Sequence, residues 1–217
     1  MTRARFVFAL QATLGVAAAA VVGLALVVSL TGVSFAVPSA QALAAACQDF
    51  ALPEVTPLSL LGLALGSFAV AVLWLAARSA IRQLRASRRF VARLHVHDDG
   101  PAGSIVFDDA APRAFCAGLL RPRVYVSSGA LRSLDSEELG AVLAHEAHHA
   151  RLRDPLRVLI ARTLSDALFF LPAVRRLADR YGALAELAAD EAAVRARGTQ
   201  PLASALLAFE QADPAVV

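Results

Sequence analysis

The stretch DSEELGAVLAHEAHH, residues 135–149, decides how this chain folds around its chemistry. Asp135 with Glu138 three residues on forms a capping box that opens a helix. Leu139, Val142 and Leu143 recur at the spacing of one apolar helix face. On that helix His145 and His149 stand at i and i+4, so both imidazoles face the same side and can point at one zinc ion. Glu146 sits one step round, in reach of a water held beside such an ion. His148 is the competing second histidine, but the offset of Glu146 from the first ligand favours the pair His145/His149.

Two histidines do not complete a catalytic zinc site, which takes three protein ligands and leaves one position open. Pro172 starts a later helix in which Glu186 and Asp190 again stand at i and i+4. The expectation is Glu186 as the third ligand and Asp190 as a carboxylate that orients a histidine ring. The alternative is a solvated helix face with Asp190 paired to Arg195 or Arg197. Asp154-Pro155 reads as the end of the metal helix and the start of another, with Asp as cap and Pro in the first turn. Cys116, beside Phe115, reads as a small buried hydrophobe rather than a soft ligand. His95 and His97 share one face of a short strand and read as solvent-exposed.

Outward from the motif, composition points to a membrane. The chain is 58% hydrophobic with mean hydropathy +0.58, above the apolar share of ordinary globular domains. Residues 6–37 carry no charge and exceed the ~20 residues needed to cross a hydrocarbon core. A signal peptide is the rival reading, but signal cores span ~7–15 residues, about half of this run. Residues 58–77 form a second apolar run, followed by Arg78, Arg82, Arg85, Arg88, Arg89 and Arg93. Arg3, Arg5 and this cluster belong in the cytoplasm by the positive-inside rule, so the chain runs in, out and back in. The expected layout is a first transmembrane helix at 1–37, an extracytoplasmic loop at 38–57, a second transmembrane helix at 58–80 and a cytoplasmic domain at 81–217. The cell membrane is then the location, and the lipid bilayer a partner.

The net charge of +3 comes from arginines grouped beside apolar segments, without aromatic interleaving, which argues against a nucleic-acid partner. Cys47 and Cys116 fall on opposite sides of the membrane in this layout, which excludes a disulfide between them. Residues 94–97, 104–107, 114–117 and 124–127 read as short strands between Gly, Pro and Asp turns. The fold class expected is therefore mainly α, with a small antiparallel β-sheet, attached to two N-terminal transmembrane helices. Residues 114–117 are the candidate edge strand for an extended peptide. Residues 156–171 suit either a membrane-contacting helix or an amphipathic one at the surface.

His145-Glu146-x-x-His149 followed by Glu186-x-x-x-Asp190, beside membrane helices, resembles the membrane-bound gluzincin peptidases. That group includes the heat-shock protease HtpX, the CaaX prenyl protease and the antirepressor proteases of beta-lactam sensor-transducers. GLLRPRVYVSSGAL at 118–131 and Asp154-Pro155 are similar to the last branch. The likeness spans about 94–194. It implies a zincin-like domain in which His145, His149 and Glu186 bind Zn2+, Glu146 is the catalytic base and Asp190 supports the site. The reaction implied is hydrolysis of peptide bonds in protein substrates by a zinc-bound water that Glu146 activates. The 27 residues from 191 to 217 leave no room for a sensor domain, so a form without one, and with fewer membrane helices, is expected. A silent membrane regulator of the same fold and a zinc hydrolase of a non-peptide substrate are the alternatives. A base at Glu146 speaks against the first, and an edge strand for peptide capture against the second.

Overall fold

The computed structural model describes residues 3–32 and 57–212. Most of the interval 38–57, with Cys47, lies outside them. Two long helices come first, α1 (Arg3–Gly32) and α2 (Pro57–Ala92). Each contains a stretch long and apolar enough to cross a membrane, Arg3–Ala25 and Leu60–Ala92. Both expose many large apolar side chains, Val16, Val21, Leu63 and Val70 among them, the distribution expected of helices solvated by lipid. α2 continues unbroken beyond residue 80, because its arginines are good helix formers and no Gly or Pro interrupts them.

Four short strands follow, β1 (Val96–Asp99), β2 (Ile105–Phe107), β3 (Ala114–Ala117) and β4 (Arg123–Ser127), in the spatial order β1-β2-β4-β3. The mainly helical class with one small sheet is as expected, but the sheet is mixed rather than antiparallel. β1 pairs antiparallel with β2 and β3 with β4, whereas β2 and β4 run parallel, Val106 opposite Val126. The reason is the segment 108–113, which carries the chain past the slot beside β2 before the β3–β4 hairpin returns to fill it. Backbone contacts pin that segment: Gly129 N–H donates to Asp109 O at 2.8 Å, and Ser127 Oγ donates to Ala111 O at 2.8 Å. A Cβ at residue 129 would stand 2.3 Å from Ala110 O, so only glycine permits this approach. β3 is left at an edge of the sheet.

The rest is helical: α3 (Ser128–Ser133), α4 (Ser136–Leu152), α5 (Asp154–Ala167), α6 (Pro172–Arg197) and α7 (Thr199–Ala212). The capping box forms as read, with Asp135 accepting from Glu137 N–H and Glu138 N–H while Glu138 Oε2 accepts from Asp135 N–H at 3.0 Å. Val142 on α4 packs with Val126, Ala130, Leu134 and Ala205, joining helix, sheet and α7 in one core. α5 and α6 form a hairpin whose turn sits against the membrane-length helices. Ala167, Leu168 and Val174 pack with Val22, Ala69 and Val72, and the Phe170 ring lies 5.2 Å from that of Phe68. Residues 156–171 are thus one arm of a hairpin lying against α1 and α2.

Candidate metal centre

α4 carries His145 and His149 on one face, and α6 brings Glu186 opposite them. His145 Nε2 and His149 Nε2 are 3.2 Å apart, and Glu186 Oε2 lies 3.4 Å from the first and 3.6 Å from the second. Ligand atoms on a tetrahedral ion with bonds of ~2.0–2.1 Å stand roughly 3.3 Å apart, so this triangle is one face of such a tetrahedron. The three residues form a group that could hold a metal ion.

The other nitrogen of each ring faces a carboxylate. His149 Nδ1 is 2.8 Å from Asp154 Oδ2, and His145 Nδ1 is 3.0 Å from Asp190 Oδ1. Asp154 holds a proton at His149 Nδ1, and Asp190 places its charge beside His145 Nδ1 without hydrogen-bond geometry, so both Nε2 lone pairs are turned toward Glu186. Two lone pairs and a carboxylate at this range repel unless a cation, either a metal ion or added protons, sits among them. The donor set therefore fits a metal.

Electrostatics supports the same conclusion. Burial disfavours a charged His149, but Asp154 and Glu186 outweigh it and push its pKa to about 10. Burial opposes the His145 cation too, and Glu186 with Glu146 lifts it above its ordinary value. Bonds from His145 and His149 hold Glu186 well below the usual carboxylate range. For Glu146 burial dominates and raises its carboxyl, with the histidine charges pulling the other way.

Glu146 accepts a hydrogen bond from the Cys116 backbone N–H. Ser127 N–H donates to Arg113 O at 2.8 Å, so by alternation along an antiparallel pair Phe115 and Ala117 turn their polar groups toward β4. Ala114 and Cys116 then turn theirs to the free edge, where Glu146 meets one of them. Phe115, Cys116, His145, Glu146, His149 and Glu186 line a cleft of about 340 Å³. Burial, reinforced by Glu146, pushes the Cys116 thiol to about 12, so it stays a neutral hydrophobe, as read.

The roles of two residues, Asp154 and Tyr181, were not legible in the sequence. Asp154 opens α5 but makes no cap bond; Arg153, in the left-handed conformation (φ 54°, ψ 42°), occupies the junction. The Asp154 carboxylate is instead buried at 4% exposure between His149 and the Tyr181 hydroxyl, which donates to Oδ1 at 2.6 Å. An acidic residue five positions past His149, just beyond its helix, was the available signal, and helix-stop logic absorbed it. Tyr181, 1% exposed, carries no cue in a single sequence. Phe8 of α1 lies 5.4 Å from its ring, so the first membrane-length helix packs directly behind the site.

The rival assignments separate cleanly. Arg195 pairs with Glu191 and Arg197 with Glu137, leaving Asp190 to His145. His148 turns to Arg151 at 3.2 Å, His95 is exposed, and His97 meets Asp108 outside the cleft.

Comparison with known proteins agrees. The chain is 41% identical over 75 residues to a protease HtpX homolog of Aquifex aeolicus (strain VF5), 34% of this chain and 25% of that protein. It is 37% identical over 70 residues to one from Acidiphilium cryptum (strain JF-5), 31% of this chain and 24% of the relative. The chain thus spans about a quarter of the length of these curated relatives. The family model described as BlaR1 peptidase M56 matches residues 12–214, covering the membrane-length helices, the sheet and the metal cleft together. On that extent of match the chain belongs to the BlaR1 peptidase M56 family.

Proposed function

We propose that the chain is a membrane-anchored zinc metalloendopeptidase in which His145, His149 and Glu186 hold Zn2+ and Glu146 is the base. The carrying observation is the triangle of His145 Nε2, His149 Nε2 and Glu186 Oε2, with edges of 3.2, 3.4 and 3.6 Å, in one cleft with Glu146 and an edge strand. Bound zinc would supply a Lewis acid that polarises the scissile carbonyl and acidifies water. Glu146 takes the proton of the attacking water and passes it to the leaving amine; its raised pKa suits both halves of that transfer. Asp154 holds the His149 ring in one tautomer, Tyr181 holds Asp154, and Asp190 places a negative charge beside His145 Nδ1. An extended protein segment adds to β3 through the outward groups of Ala114 and the Cys116 carbonyl.

In this reading residues 1–37 and 58–80 span the bilayer, 38–57 is the extracytoplasmic loop, and 81–217 works on the cytoplasmic side. The arginines from Arg78 to Arg93 support that orientation. The test is Glu146→Ala: bound zinc stays near one per chain, while cleavage of an unfolded protein falls by roughly 10²–10⁴. Cleavage at the parent rate would reject the assignment.

A further inference from the structure

A second concavity, of about 1010 Å³, lies away from the metal cleft, between α2 and the α5–α6 hairpin. Its walls bring together arginines distant in sequence: Arg78 and Arg82 from α2, Arg162 from α5 and Arg175 from α6. Two carboxylates accompany them. Asp166 is already engaged, accepting from Ser79 Oγ at 2.5 Å and pairing with Arg82 at 3.2 Å, and Asp179 also lines the cavity. Arg162 and Arg175 make no ion pair among the described residues, and with four arginines against two carboxylates the cavity keeps a net positive charge.

The other end of the cavity is apolar. Leu75 and Phe169 line it, and beside it Phe169, Phe170 and Leu171 stand 68%, 42% and 42% exposed at the hairpin turn. That turn packs at the level of Phe68, Ala69 and Val72, inside the apolar part of α2. Trp74 is exposed one turn before Arg78, whose guanidinium lies 5.1 Å from its ring, as expected where a helix leaves the hydrocarbon. A cavity with guanidinium groups above and apolar side chains below matches an amphiphile with an anionic head. Arginine forks take phosphate oxygens, and basic pockets beside membrane helices take anionic lipid head groups.

We propose that this cavity is a binding site for an anionic phospholipid, its phosphate held by Arg162 and Arg175 with Arg78, and its acyl chains running along Leu75 and Phe169. The site rests on α1 and α2 crossing the bilayer, and is independent of the peptidase assignment. Occupancy clamps α2 to the α5–α6 hairpin, and α6 also carries Tyr181 and Glu186.

The experiment uses the full chain in detergent, titrated with short-chain phosphatidylglycerol, short-chain phosphatidylcholine or inorganic phosphate, with thermal unfolding as readout. Phosphatidylglycerol should raise Tm saturably and phosphatidylcholine should not. Arg162→Gln with Arg175→Gln should weaken the phosphatidylglycerol midpoint roughly thirtyfold, about a factor of five for each arginine removed near an anionic head group. Arg85→Gln with Arg89→Gln, on α2 beside Arg82 in sequence but outside the cavity, should leave the midpoint unchanged. An equal loss in both pairs would mean diffuse charge attraction, and an equal shift from inorganic phosphate would mean a soluble anion; either overturns the lipid site. Incorporation into phosphatidylcholine nanodiscs separately tests the membrane reading, and failure there would remove the site with it.

Discussion

Asp154→Asn probes the carboxylate that the fold hides behind His149. The amide has the volume of the carboxylate, so packing at this 4% exposed residue is preserved. Its oxygen still accepts from His149 Nδ1, and its amino group faces the Tyr181 hydroxyl. What disappears is the negative charge 2.8 Å from the ring. Removing such an outer partner costs 10–100-fold in metal affinity, or about 1.4–2.7 kcal/mol. Asp190 Oδ1 lies 3.0 Å from His145 Nδ1 without hydrogen-bond geometry, and its side chain is 43% exposed, against 6% for Asp154. Water screens that charge, so Asp190→Asn should cost less than about tenfold. Zinc affinity measured by competition with a chromophoric chelator, with circular dichroism to verify folding, gives both values. Parent-like affinity in Asp154→Asn, or a larger loss in Asp190→Asn, would refute the argument that burial ranks the two carboxylates.

Other expectations follow from individual contacts. Tyr181→Phe removes a buried bond to a charged acceptor at 2.6 Å and should lower stability by about 1.5–3 kcal/mol in denaturant unfolding; an unchanged midpoint would count against the Tyr181–Asp154 link. Gly129→Ala drives a Cβ into Ala110 O at 2.3 Å of rigid backbone and should cost more than about 3 kcal/mol, or abolish folding. Gly140→Ala on α4 meets only the movable end of Arg197, so helix propensity should leave it neutral or up to about 1 kcal/mol more stable. Stability of the metal-free protein should fall with rising pH: a His149 pKa raised to about 10 contributes fully below pH 6.5 and is lost as pH approaches 10. The zinc-loaded protein should stay level through the same window, since its ligands have no such proton to lose. Melting series with and without chelator compare the two, and a metal-free Tm that climbs over that range would reverse the sign.

Local spacing carried the metal helix. A capping box, an apolar face and two histidines one turn apart depend only on 3.6 residues per turn, and any sequence with those offsets presents them together. The two membrane-length helices were legible for an equally local reason, since an uninterrupted apolar run needs no partner to declare itself. The pairing of Glu186 with Asp190 was legible as a face, whereas its meeting with α4 depended on helix packing. Other features were decided only by the tertiary structure. β2 and β4 run parallel because contacts of Ser127 and Gly129 hold residues 108–113 across the sheet. Asp154 turns to His149 rather than capping α5, because Arg153 in the left-handed conformation sets the angle between two helices. Tyr181 reaches that carboxylate from another helix, with Phe8 of α1 packed behind it. Each joins residues far apart along the chain or turns on one backbone torsion. Sequence periodicity is blind to both, because it records which way a side chain points along its own element and not what that element meets.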